Sequence, residues 1–90
     1  MFQKAKDMYK MQKQAKEIKK ELKNIHIEAE EQGVKIVINA EMDIISVNIE
    51  DASMQDKKSL EQKIQKAFEK AIKKAQQIAA EKMRGLMGNI

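Results

Sequence analysis

Hydrophobic positions change their spacing along the chain, and each change marks an element. Met8, Met11, Ala15, Ile18, Leu22 and Ile25 recur at alternating steps of three and four, the period of a helix with one apolar stripe. Neither Pro nor Gly occurs before Gly33, so nothing interrupts that helix until the pattern itself changes near Asn24. From Ile25 the period falls to two: Ile25, Ile27 and Ala29 alternate with His26, Glu28 and Glu30, which predicts a half-buried strand. Gly33 supplies a turn. Val34, Ile36, Ile38 and Ala40 then alternate with Lys35, Val37 and Asn39, and after Glu41-Met42-Asp43 a third run sets Ile45, Val47 and Ile49 against Ser46, Asn48 and Glu50. The connections are too short for crossover helices, so the three strands are expected to form an antiparallel meander with one apolar face. Asp56 suits the N-cap of a second helix whose apolar side runs through Leu60, Ile64, Ala67, Phe68, Ala71, Ile72, Ala75, Ile78, Ala79 and Met83, with Gly85 or Gly88 as its stop.

The expected fold is therefore α+β, an α-β-β-β-α protomer with a three-stranded antiparallel sheet flanked by two long helices, in a single domain over residues 1–90. Lengths argue for association. Helices of about 22 and 28 residues span roughly 33 and 42 Å, whereas strands of about six to eight residues cover roughly 20–27 Å. The helices overhang the sheet with their apolar stripes continuing, so a homodimer is expected to bury the excess. Met8, Met11 and Met83 fall on these stripes and are expected to fill core.

Charge divides the chain into three parts. Residues 1–24 hold eight lysines against Asp7, Glu17 and Glu21, residues 25–56 hold Lys35 against eight acids, and residues 57–90 hold nine basic side chains against Glu61, Glu69 and Glu81. The net charge of +4 thus conceals two basic ends around an acidic middle, an asymmetry that points to a polyanionic partner. The chain has no cysteine, which removes disulfides and thiolate metal sites. With no apolar run of signal-peptide or membrane-spanning length, a soluble cytoplasmic protein without membrane contact is expected.

Helical geometry says where the basic residues point. On the first helix Lys6, Lys13 and Lys20 lie almost opposite the apolar stripe, flanked by Lys10 and Lys16. On the second, Lys66, Lys73 and Arg84 lie opposite Ile64, Phe68, Ala71 and Ala75, with Lys63, Lys70 and Lys74 to one side. A solvated face normally mixes signs to gain i,i+4 pairs, and these faces are biased instead. Duplex DNA carries a negative charge every ~1.7 Å of axis, so basic rows this long can meet several phosphates. One Arg and few aromatic residues provide poorly for base reading or stacking, which favours backbone contact with double-stranded DNA at low sequence specificity. Lys6, Lys10, Lys13, Lys16, Lys20, Lys66, Lys70, Lys73 and Arg84 are the candidate DNA-binding residues.

Catalysis finds little support. The one histidine, His26, falls on the polar side of its strand, Glu28, Glu30 and Glu31 read as an acidic strand face, and no phosphate-cradling loop, nucleophile elbow or metal-ligand spacing occurs. Neither a cofactor nor a small-molecule substrate is expected. The competing reading is a helical protein-interaction module or chaperone-like clamp without nucleic-acid binding, which apolar helix tips bearing Phe2, Tyr9, Leu86 and Met87 would serve.

Taken in order, Met1-Phe2, Lys13-Gln14-Ala15, Val34-Lys35-Ile36-Val37-Ile38-Asn39, Val47-Asn48-Ile49-Glu50-Asp51, Ala67-Phe68-Glu69-Lys70-Ala71, Lys73-Lys74-Ala75 and Lys82-Met83-Arg84-Gly85 resemble the YbaB/EbfC family of bacterial nucleoid-associated proteins over nearly the whole chain. The resemblance implies an α-β-β-β-α protomer, a tweezers-shaped dimer with protruding helices, and DNA binding tied to nucleoid organisation or gene regulation. Basic helix positions carry the contact in such proteins, and they map onto the lysine rows above. The chain departs from the family pattern in having only Gly33 between its first two strands, Asp51-Ala52 where Asp-Pro is usual, and Glu69 where Asn is common.

Overall fold

Helix α1 (Phe2–Asn24), strands β1 (His26–Glu31), β2 (Val34–Asn39) and β3 (Ile44–Ile49), a short 3-10 helix (Asp51–Gln55) and helix α2 (Lys57–Gly88) follow one another in the computed structural model. It describes residues 2–88, with side chains described for residues 7–85. The order is the α-β-β-β-α arrangement of an α+β fold, and the strands form one antiparallel sheet in the order β1-β2-β3.

Local chemistry fixes each corner. Glu31 pairs with Val34 across a two-residue turn in which Gln32 and Gly33 have φ of 44° and 92°, the left-handed pair whose twist suits a tight hairpin. Between β2 and β3 the Asn39 carboxamide organises the loop: Oδ1 accepts from the backbone N–H of Glu41 and Asp43, each at 3.0 Å, and Nδ2 donates to Asp43 at 2.9 Å. Helix α1 is tied to the same corner, because the Ala40 N–H is shared between the carbonyls of Leu22 and Ile25, both at 3.0 Å. Asp56 caps α2 as expected, its carboxylate accepting from the Ser59 N–H at 3.4 Å.

The core lies between α2 and the β1–β2 half of the sheet. Ala67, Ala71 and Ala75 are fully buried, and such small side chains let the helix backbone approach Val34, Ile36 and Ile38 closely. Burying each of those larger side chains is worth about 1.5–3 kcal/mol. The segment after β3 determines which half is covered. The Glu50 N–H donates to the Gly33 carbonyl at 2.9 Å and the Ser53 hydroxyl donates to the Gln32 carbonyl at 2.9 Å, so the 3-10 helix carries the chain from β3 across the hairpin end before α2 begins.

Three features differ from the sequence-based expectation. The 3-10 helix is too short and polar to show a hydrophobic period; it opens at Asp51-Ala52, so the missing proline leaves this turn in place. A bulge in β3 sets Ile44, not Ile45, opposite Ile38, so the apolar face of that strand runs through Ile44, Val47 and Ile49. Helix α2 runs through Gly85 and reaches Gly88, the second of the two expected stops. Met8, Met11 and Met83 are exposed in the single chain and fill no core there, because both helices run past the sheet; the long axis measures 64 Å against cross-sections of 17 and 14 Å.

Candidate nucleic-acid interface

Helix α1 is a rod. Every residue from 7 to 17 is exposed, and only Ile18, Leu22 and Ile25 near its C-terminus reach the core. Its spacing therefore places Lys10, Lys13, Lys16 and Lys20 in solvent around the side opposite the stripe. The Lys6 side chain falls outside the described residues. On α2, Lys66, Lys73 and Arg84 are exposed on the face turned away from the sheet, where an open recess of about 550 Å³ is lined by Lys73, Gln76, Gln77, Ala80, Glu81 and Arg84.

Ion pairing separates these residues from other lysines. Among the described residues the pairs are Lys35–Glu28 at 3.0 Å, Lys82–Glu21 at 3.3 Å and Lys70–Glu31. None uses Lys10, Lys13, Lys16, Lys20, Lys66, Lys73 or Arg84. Glu69, the acid that replaces the family's common Asn, accepts from Gln65 Nε2 at 3.3 Å. The outward rows thus keep charges that no carboxylate neutralises.

Lys70 is placed differently from the other seven candidates whose side chains are described. It leans over the edge of β1, pairing with the Glu31 carboxylate and donating to the Glu30 carbonyl at 3.4 Å, while Lys74 beside it donates to the Glu28 carbonyl at 3.2 Å. The hydrogen bond from Lys70 holds the Glu31 carboxyl below its ordinary value of 4.5, with the charges of Lys70 and Lys66 adding to the effect. Spacing alone puts Lys70 beside Lys66 and Lys73; its partner lies 39 residues away in sequence, so no local signal could have distinguished it.

Tyr9, grouped by sequence with the apolar tips, stands 69% exposed within the basic row of α1. A recess of about 140 Å³ beside it is lined by Tyr9, Gln12, Lys13 and Lys16. Phe2, Leu86 and Met87, the other tip residues, have side chains outside the described residues. Chemically, the arrangement offers rows of mobile cations on rigid helices, suited to a regular array of phosphates.

The model of the YbaB/EbfC DNA-binding family matches residues 1–90. The chain belongs to that family. DNA is accordingly its class of partner, and the YbaB/EbfC family is one of nucleoid-associated DNA-binding proteins, not of enzymes. Comparison with curated proteins finds no match. Among solved structures, the crystal structure of the uncharacterized protein HP0035 from Helicobacter pylori is similar, with a TM-score of 0.93 at 13% sequence identity, covering 97% of this chain and 96% of that one. At that identity the likeness speaks for the fold alone. Among the described residues, no helix is long and apolar enough to cross a membrane.

Proposed function

We propose that this YbaB/EbfC protein acts in the cytoplasm as a homodimer that holds duplex DNA by its phosphate backbone with low sequence specificity, contributing to nucleoid organisation and gene expression. The observation that carries this reading is the pair of outward basic rows, Lys10, Lys13, Lys16 and Lys20 on α1 and Lys66, Lys73 and Arg84 on α2, exposed and free of intramolecular ion pairs. Lys6 extends the first row by its spacing. Lys70 contributes less, since Glu31 already neutralises it. Lysine gives a flexible point charge without the planar fork that reads base edges, so affinity follows phosphate density.

The dimer is supported by what α2 leaves uncovered. Val47 and Ile44 share the core face of the sheet yet are 48% and 61% exposed, and α2 turns Phe68 and Ile72 toward them, opposite the flank bearing Lys70 and Lys74. A second copy covering this apolar strip would remove it from water.

Titrating the purified protein against two unrelated duplexes at several salt concentrations tests the reading. For duplexes matched in A·T content equal affinities are expected, with log K falling against log salt by about 0.9 per phosphate engaged. Replacing Lys13 and Lys20 with Glu should weaken both duplexes alike and flatten the slope. Loss confined to one duplex, or no binding at low salt, overturns it.

A further inference from the structure

The basic row of α1 contains one residue that phosphate binding does not use. At about 100° per residue, Tyr9 lies within about 40° of Lys13, Lys16 and Lys20, on the side of the helix opposite the apolar stripe. It is the only tyrosine of the chain, and its ring is mostly in solvent beside the recess it forms with Gln12, Lys13 and Lys16. A large apolar ring in that position stabilises neither the core nor the stripe available to a second copy.

Resting on the backbone-binding reading above, we propose that Tyr9 is a base-contacting residue: α1 lies in the major groove, its lysines hold phosphates on the groove walls, and the Tyr9 ring packs on thymine C5-methyl groups at the groove floor. A helix of about 10–12 Å diameter fits a groove about 12 Å wide. The lysine stems are long and turn outward to the walls, whereas a tyrosine has two side-chain torsions and projects straight from the middle of the row. What it meets there is the edge of the bases, and of the four bases only thymine offers a methyl group. The result is a modest preference for thymine superimposed on phosphate-dominated affinity.

The chemistry allows a direct test, because deoxyuridine differs from thymidine by that methyl alone. Full-length protein is titrated against a short A·T-rich duplex and its deoxyuridine counterpart, in wild-type, Tyr9→Phe and Tyr9→Ala forms. With one tyrosine and no tryptophan, intrinsic fluorescence reports on Tyr9 directly. Wild type and Tyr9→Phe should bind the thymine duplex roughly fourfold more tightly per methyl contacted, the effect of burying one such group. Tyr9→Ala should bind both duplexes equally, and wild-type tyrosine emission should change on binding. The Ala variant is expected to keep its helix, since the site is exposed and alanine is the best helix former. Equal wild-type affinity for the two duplexes overturns the proposal while salt-dependent binding leaves the backbone reading standing. A Tyr9→Phe variant weakened equally on both also overturns it, placing the hydroxyl on a phosphate. Absence of salt-dependent binding altogether removes the reading on which the proposal rests.

Discussion

The two edges of the sheet receive opposite treatment. Along β1, α2 drops Lys70 and Lys74 onto the outward carbonyls of Glu30 and Glu28, so the unpaired backbone is met by charge and the edge is blunted against strand pairing. Along β3, six residues from Ile44 to Ile49 carry no charged side chain, and the strand is exposed apart from Ile49. Ile36 and Val47 show the contrast most directly. They are register partners on one face of neighbouring strands, yet one is fully buried and the other half exposed. The single chain closes one side of its sheet by itself and leaves the other open to solvent.

The contrast can be broken at several points. Ile36→Ala, under α2, should cost about 2–5 kcal/mol in urea unfolding, because it leaves a cavity that fully packed neighbours cannot refill. Next comes the latch that decides which half α2 covers. At Gly33 an added Cβ would stand 2.3 Å from the Ser53 hydroxyl oxygen, on a backbone with φ of 92°, so Gly33→Ala should cost about 1–3 kcal/mol in the same assay. Val47→Asp should change the unfolding free energy of the single chain by no more than about 0.5 kcal/mol. In the same variant, light scattering should report the mass of one 10.4 kDa chain where the wild type reports two. A wild type that is already monomeric would leave β3 as an uncovered edge and remove the dimer.

The smallest expected effect sharpens the β1 side. The Glu31 carboxyl is held below its ordinary value by Lys70, so the pair stabilises the fold when pH lies above about 4.5 and the contribution fades as pH falls through the lowered folded value. Lys70→Met should therefore lower the urea midpoint at neutral pH, and the difference from wild type should shrink in acid. A difference that persists in acid would assign the role of Lys70 to its alkyl stem.

The strands, both helices and the Asp56 cap were legible because each follows from spacing or from one local hydrogen bond. The asymmetry of the sheet was not, since Ile45, Val47 and Ile49 read in sequence like Val34, Ile36 and Ile38; the difference lies in a helix attached through a 3-10 turn too short to show a period. The Ile44-Ile45 doublet offered two registers, and the bulge selects the one that periodicity did not favour. In the candidate interface, the outward lysines were legible from helix geometry alone. Lys70 was not distinguishable from Lys73, because its role depends on a carboxylate brought in by β1. Tyr9 was within reach of the same geometry, which places it among the lysines and not on the stripe.

The 64 Å long axis has a consequence for crowding on DNA. Laid along a duplex at about 3.4 Å per base pair, a body of that length reaches across roughly 19 base pairs, nearly two helical turns. Each bound copy then occludes every overlapping start position, and as a long duplex fills, the remaining gaps become shorter than the molecule that must enter them. Saturating a long duplex would thus demand far more protein than affinity on a short one indicates.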